Sequence, residues 1–191
     1  MVWTRETSNG YETSKTRHRL KQYIRGKGVD VGCGPDKIDK SAIGVDVVNL
    51  PEVDIIADAK RLDFFPPEYF DYVFSSHTLE DIDDTRRALL GWWRILKTGG
   101  FLILYLPDKR FYPVIGTPGA NIWHKHDFIS ADIVLILRTL GKFEILQDEV
   151  FSGDNEYSFL LVVKKISGYE FAADCPCKKD VKILEPINQR G

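Results

Sequence analysis

Gly32 and Gly34 follow a short apolar run, Val29-Asp30-Val31, and an acid, Asp46, stands about a dozen residues on in a second run, IGVDVV. A glycine turn after a buried strand lets the backbone approach a ligand, because no Cβ stands in the way. A carboxylate at the end of the next strand can accept hydrogen bonds from a ribose diol. Dinucleotide sites use the same parts, but add a third glycine that brings a helix N-terminus up to a pyrophosphate. Here Lys37 stands at the third glycine's place, and Pro35 follows Gly34 directly. Asp46 also arrives earlier than the roughly 20 residues of the dinucleotide fingerprint. Hardly any room is left for a helix between the two runs. The expected ligand carries a nucleoside but no pyrophosphate, and S-adenosylmethionine (SAM) is such a ligand.

Proton chemistry would fall to histidine, which changes charge near neutral pH. The chain has His18, His77, His124 and His126. His18 lies in a basic segment and reads as solvated surface. His77 follows the apolar run YFDYVFS and reads either as a base or as a residue that orients its loop. His124 and His126 sit in NIWHKHDF, where His124-x-His126-Asp127 reads as a base with an orienting acid, a metal cluster or a polar lid. H-x-H-D is a poor metal signature, and no metal is expected. Phe111, Tyr112 and Trp123 in the same loop could stack on a sugar or an aromatic acceptor, or pack the loop down. Glu80 reads as an acceptor ligand or as a helix cap.

These groups need elements to hold them. Strands are expected at 29–32, 42–48, 54–57, 69–75, 101–106, 143–151 and 157–164, and residues 101–106 form a continuous apolar run as in a strand buried on both faces. Helical spacing is expected over 14–25, through Leu20, Tyr23 and Ile24. It returns in DDTRRALLGWWRILKTGG with Gly99-Gly100 as the stop, and in SADIVLILRTLG with Ser130 as cap and Gly141 as stop. The turn residues SGDNE join the last two strands as an antiparallel hairpin. Residues 1–13 are expected to pack loosely. Alternating strands and helices imply a Rossmann-like, doubly wound α/β fold: a mainly parallel seven-stranded sheet with an antiparallel C-terminal hairpin. Such sheets bind ligands beyond the carboxyl ends of their strands. The loop 107–128 leaves such an end, and loops of this length are usually functional. It is expected to close over the cofactor and to shape the acceptor site.

The chain of 191 residues suits one domain, at 1–165, with a polar extension at 166–191 of unknown role. A net charge of −2 argues against a large nucleic-acid footprint. No apolar run is long enough for a membrane span, and no signal-like segment opens the chain, so a cytoplasmic location is expected. Cys33, Cys175 and Cys177 read as reduced thiols.

Five stretches resemble, in order, the motifs of the class I SAM-dependent methyltransferases: VDVGCGP, IGVDVV, ADAKRLDF, FDYVFSSHTLEDIDD and RILKTGGFLILYLP. The resemblance covers about residues 25–164. It is similar to small stand-alone members with a shortened first helix, some of them near glycan biosynthesis, and LPDKRFYPVIGTPGANIWHKHDF fits that subgroup. The resemblance implies a SAM site built from Gly32, Cys33, Gly34, Asp46, Val47, Asp58, Ala59, Ser75 and Ser76. In it the glycines line the methionine part, Asp46 binds the ribose and Asp58 lies near the adenine. The family often has histidine where this chain has Asp81. His77, His124 and His126 are the candidate catalytic residues, because an oxygen acceptor usually needs a base. The implied activity is methyl transfer to a small molecule, O-directed, with a sugar or glycan precursor as one acceptor class. N- or protein methylation, or SAM binding without turnover as a regulatory partner, are the alternatives. An NAD-linked oxidoreductase is a weaker third.

Overall fold

Strand β1 (Gly28–Val31) is buried at all four positions because it is paired on both sides. Val29 lies opposite Ile43 of β2 (Ile43–Asp46) and opposite Val73 of β4 (Phe70–Ser76), both in parallel. The computed structural model describes residues 11–153 and 155–167. With β3 (Ile55–Ile56), β5 (Leu96–Pro107), β6 (Phe143–Phe151) and β7 (Ser158–Lys165), the sheet runs β3-β2-β1-β4-β5-β7-β6. The first five strands are parallel, and β7 runs antiparallel to both β5 and β6. This is the expected sheet with its terminal hairpin. The order reverses between β1 and β4, where open α/β sheets place a ligand crevice.

Period-2 alternation gives each central strand two apolar faces. Val29, Val31, Val73, Leu102, Leu104, Phe159 and Leu161 face one way, against Trp92 of α2 (Thr85–Ile95) and Ile133 of α3 (Ser130–Arg138). Tyr72, Phe74, Ile103, Tyr105 and Leu160 face the other way, against Leu20 of α1 (Tyr11–Leu20). All of residues 32–69 are described, and no helix occurs among them. The turn after β1 therefore lacks its usual helix, and α1 covers that face in its stead. Arg17 of α1 donates to the carbonyls of Lys37 and Ile38 and pairs with Asp36, which ties the turn to the helix.

Three local expectations are corrected. The first helix is Tyr11–Leu20, so residues 11–13 are not loose, and Thr13 is buried. Tyr23 and Ile24 follow as a turn whose N–H groups both donate to Leu20 O, and they still pack on the α1 face. Helix α2 stops at Ile95, ahead of Gly99-Gly100, and the chain passes straight into β5. Lys165 Nζ closes that end by donating to Trp93 O at 2.9 Å and Leu96 O at 2.6 Å. Helix α3 starts at Ser130 rather than being capped by it. The cap position is Ile129, whose N–H donates to the Asp132 carboxylate. Glu80 does not cap α2 either: the cap is Asp84, which accepts from Arg87 N.

The loop 107–128 closes on itself through a bridge between Asp108 and Phe128 and an Asp127 carboxylate that accepts from Ile115 N. Cys175, Cys177 and all but the first two residues of the 166–191 extension lie outside the described residues.

Candidate functional site

At the carboxyl end of β1 the glycine turn is pinned to β2, since Gly32 N and Cys33 N both donate to Val45 O. Gly32 has φ +74°, and a Cβ there would meet Thr78 Oγ1 at 2.0 Å. The missing side chain thus makes room for Thr78, just after β4, and locks the two strand ends together. Gly34 differs: nothing lies within 4 Å of where its Cβ would stand. Asp46 ends β2 beside it, accepting from Gly34 N and Val48 N, each at 3.0 Å. A carboxylate has about four lone-pair sites, so Asp46 retains capacity for a diol. Val47 next to it is 53% exposed, and Ile56 on β3 is 60% exposed. These offer apolar surface beyond the β2 and β3 ends, where an adenine ring would need it.

Two residues that sequence reasoning gave no part hold the turn in shape. Asp30 is buried, and its Oδ2 accepts from Ile38 N at 2.7 Å. Burial pushes its carboxyl up to about 7, against the pull of that hydrogen bond. Lys37, at the third glycine's place, is buried and donates to Ala42 O and to the Asp54 carboxylate. A charged tie thus does locally what helix packing does in a dinucleotide fold.

The other cofactor candidates divide. Asp58 accepts from Lys60 N, and its side chain is partly exposed beyond β3. Ala59 O accepts from the Trp92 indole, so its carbonyl is engaged within the protein. Ser75 Oγ donates to Val31 O in the core, whereas Ser76 Oγ is buried with no partner. Cys33 is buried toward Glu52 O, and burial pushes its thiol up to about 12.

Beyond β4 and β5 a second cluster forms. His77 adopts φ +47°, an uncommon conformation for a residue with a Cβ. Its Nε2 lies 2.9 Å from Ser158 Oγ and 3.4 Å from Glu12 Oε2. Its Nδ1 lies 3.8 Å from Glu80 Oε1, and His124 Nε2 lies 3.8 Å from the same oxygen. The Tyr112 ring lies 5.1 Å from the His124 ring and 4.8 Å from that of Tyr157. Tyr157 in turn lies 5.8 Å from His77 and donates its hydroxyl to Glu12. Burial pushes His77 well below the usual imidazole range, with Lys15 and then His124 adding to the shift. His124 is lowered by burial against the opposing pull of Asp127. Burial holds Glu80 far above the usual carboxyl range, with Asp81 adding to it, and lifts Asp81 to about 6. At neutral pH both imidazoles are therefore uncharged, and the carboxyl group between them holds its proton more tightly than an exposed glutamate does.

His126 is not part of this centre. Its Nε2 lies 3.1 Å from Asp83 O, its ring lies against Phe128, and its N–H donates to Glu80 O. Among the described residues no group of three or more His, Cys, Asp or Glu side chains is arranged to hold a metal. Glu12, Tyr157 and Ser158 are site residues that the sequence did not reveal. Glu12 lies in a segment read as loose, and no motif links it to a turn more than a hundred residues away.

Residues 29–104 match the family profile described as a methyltransferase domain. No curated protein matches the chain in sequence. Among solved structures, a protein from Pyrococcus horikoshii OT3 is 20% identical with a TM-score of 0.64, over 85% of this chain and 94% of that one. A SAM-dependent methyltransferase from Thermotoga maritima, described as a possible histamine N-methyltransferase, is 22% identical with a TM-score of 0.60, over 82% and 88%. SpnF, a 4+2 cyclase, is 20% identical with a TM-score of 0.62, over 81% and 82%. Domain profile and sheet order agree: the chain carries a methyltransferase domain on the class I SAM-dependent methyltransferase fold.

Proposed function

We propose that this SAM-dependent methyltransferase acts on a small acceptor, that an oxygen receives the methyl group, and that the acceptor class is a sugar or glycan precursor. SAM, when bound, supplies a methyl group already activated on a sulfonium. The residues present fit it: open space at Gly34, spare acceptor capacity on Asp46, exposed Val47 and Ile56, and the unpartnered Ser76 hydroxyl. Asp46 would hold the ribose, Val47, Ile56 and Asp58 would flank the adenine, and the turn 32–34 with Ser76 would face the methionine part.

One observation carries the oxygen reading: two uncharged imidazoles, His77 and His124, meet beside the strand ends that adjoin the glycine turn. A hydroxyl sheds its proton as the new C–O bond forms, and a positioned base typically contributes 10²–10⁴-fold to such a step. A protein that holds both imidazoles neutral keeps that base ready. The buried Glu12 Oε2, Glu80 Oε2 and Ser76 Oγ, none of which makes a hydrogen bond, lie beside the rings of Tyr112 and Tyr157 and suit a ligand with several hydroxyl groups on an apolar ring face.

A second reading has its own support. The Lys15 ammonium rests on Glu12 at 2.6 Å and lies 5.3 Å from the centre of the Tyr157 ring. That niche suits an amine, and the Thermotoga neighbour is described as a possible N-methyltransferase. A third reading is SAM binding without methyl transfer, and one neighbour of the same fold is described as a cyclase rather than a methyltransferase. Turnover of methyl-labelled SAM against parallel panels of sugars, other hydroxyl compounds and amines separates them. Label on hydroxyl compounds supports the oxygen reading, label on amines alone replaces it with the second, and bound SAM with no label transferred favours the third.

A further inference from the structure

Glu80 stands where two histidines from distant parts of the chain converge. Its Oε1 lies 3.8 Å from His77 Nδ1, at the end of β4, and 3.8 Å from His124 Nε2, in the loop after β5. Its side chain is 1% exposed, and Oε2 is buried with no hydrogen-bond partner. Its backbone carbonyl accepts from Lys125 N and His126 N, so the loop that carries His124 is anchored on the same residue. The far nitrogen of His77 is committed to Ser158 Oγ at 2.9 Å. If that nitrogen carries the proton, the Nδ1 lone pair is left facing Glu80. A lone buried carboxyl group costs stability unless its hydrogen bonds are made. One placed symmetrically between two ring nitrogens has a use that accounts for the cost.

We propose that His77, Glu80 and His124 form one proton-sharing unit, in which Glu80 is the positioning residue that lets the two imidazoles act as a single base. This rests on the reading of the cluster as the acceptor site. In the resting arrangement His124 Nε2–H points at Glu80, the Glu80 O–H points at His77 Nδ1, and His77 Nε2–H points at Ser158. The lone pair of His124 Nδ1 is then free to receive a hydroxyl proton. When it does, the acceptor O–H bond breaks and an N–H bond forms on His124. The Glu80 O–H bond breaks and an N–H bond forms on His77. One proton enters, and the unit ends as a carboxylate between two imidazolium rings, a favourable order of charges. The 3.8 Å gaps exceed a hydrogen bond, so for the transfer the Glu80 carboxyl has to turn toward His77 and the loop has to bring His124 closer, each by about 1 Å, as catalytic contacts often do once substrate binds. The groups that face the unit are Glu12 and Lys15 from α1, Asp81 from the turn after β4, Tyr105 from β5, Lys125 and Asp127 from the loop, and Tyr157 and Ser158 at the start of β7. Glu12 Oε2, 3.4 Å from His77 Nε2, would add to the stabilisation of the imidazolium there.

The test follows the proton on the full chain, by NMR of histidine ¹⁵N and glutamate carboxyl ¹³C as a function of pH. In the wild type the Glu80 carboxyl signal should change in the same pH steps that protonate His77 and His124, because strongly coupled sites titrate as a group. Glu80→Gln, which is isosteric with the uncharged acid, should lower both imidazole midpoints by about one pH unit, since no carboxylate can form between them. Separate inflections in the wild type, or unmoved midpoints in folded Glu80→Gln, would overturn the proposal. Should that variant not fold, the wild-type titration decides alone. With whichever hydroxyl acceptor the labelled-SAM panel identifies, Glu80→Gln should lower kcat about 10²-fold at pH 7 and leave KM for SAM within about twofold. A KM effect with unchanged kcat would also overturn it. If the wild type binds SAM and labels no acceptor, the methyltransferase reading fails by itself, and the titrations still decide whether the three groups share protons.

Discussion

Asp46 has two tasks at once, and they set what its removal should do. Its carboxylate orients the glycine turn through Gly34 N and Val48 N, and in the proposed function its remaining lone pairs would hold a ribose. Asp46→Ala should weaken SAM binding by about 1–3 kcal/mol by calorimetry, the scale of lost charge-assisted hydrogen bonds. Unchanged affinity in a folded variant would end the ribose assignment. The loop histidines, two residues apart, should behave differently. His124→Ala should lower turnover by roughly 10²–10⁴-fold with SAM affinity almost intact, while His126→Ala, on the far side of Glu80 against Asp83 O, should cost less than about fivefold. Equal losses would put the base elsewhere. Asp30 offers a pH test. Its folded carboxyl is raised to about 7, above an unfolded value near 4. The folded state holds that proton more tightly, so the contribution is full below about pH 4 and is lost as pH rises through 7. Asp30→Asn should thus gain on the wild type by on the order of 2–3 kcal/mol between pH 5 and pH 8 in urea unfolding. His77 shifts the opposite way in both proteins and cancels in the comparison. A constant difference across that range would mean that Asp30 is not held protonated.

At the scale of elements, α1 replaces the helix missing between β1 and β2. Leu20 is fully buried against Ile38, Tyr72, Phe74 and Tyr105, while Arg17 reaches the turn carbonyls. The start of the same helix, through Glu12 and Lys15, meets Tyr157 and Asn155 at the other end of the sheet edge. One helix therefore links the glycine turn to the cluster around Glu80. Leu20→Ala should cost about 2–5 kcal/mol in chemical denaturation, as large-to-small changes in a packed core do. A loss under about 1 kcal/mol would show that α1 is a loose cover rather than part of the core. The loop 107–128 makes the corresponding link after β5, where Lys125 N and His126 N dock on Glu80 O. Its length was plain in the sequence, but its docking point was not.

For the whole molecule, the reversal of strand order between β1 and β4 brings the glycine turn, Asp46, His77 and the 107–128 loop to one edge of the sheet. A ligand there binds only the folded chain, so SAM at about 100 times its Kd should add about 2.7 kcal/mol of stability, a rise of roughly 5–10 °C in Tm. NADH at the same concentration should leave Tm in place, and a comparable rise with NADH would reopen the dinucleotide reading. Much of this was legible from residues alone. The apolar runs have period-2 faces or continuous burial, the turn residues between β6 and β7 are local in effect, and the Gly32–Gly34 turn with Asp46 is a short-range pattern, so strands, sheet class and cofactor chemistry could be read in advance. The helix ends could not. Ile95 is a stop because Lys165, seventy residues later, takes up the last carbonyls, and Ser130 lost the cap to Ile129 through the reach of Asp132. Nor could the sequence separate the histidines, since His124 and His126 share one loop and one chemistry. Their difference comes from what each side chain meets: the Glu80 carboxyl group, shared with His77, for His124 and a backbone carbonyl for His126. Residue types and short spacings determine which local chemistry is available, whereas burial and long-range neighbours, which only the folded chain creates, decide which of those groups act together.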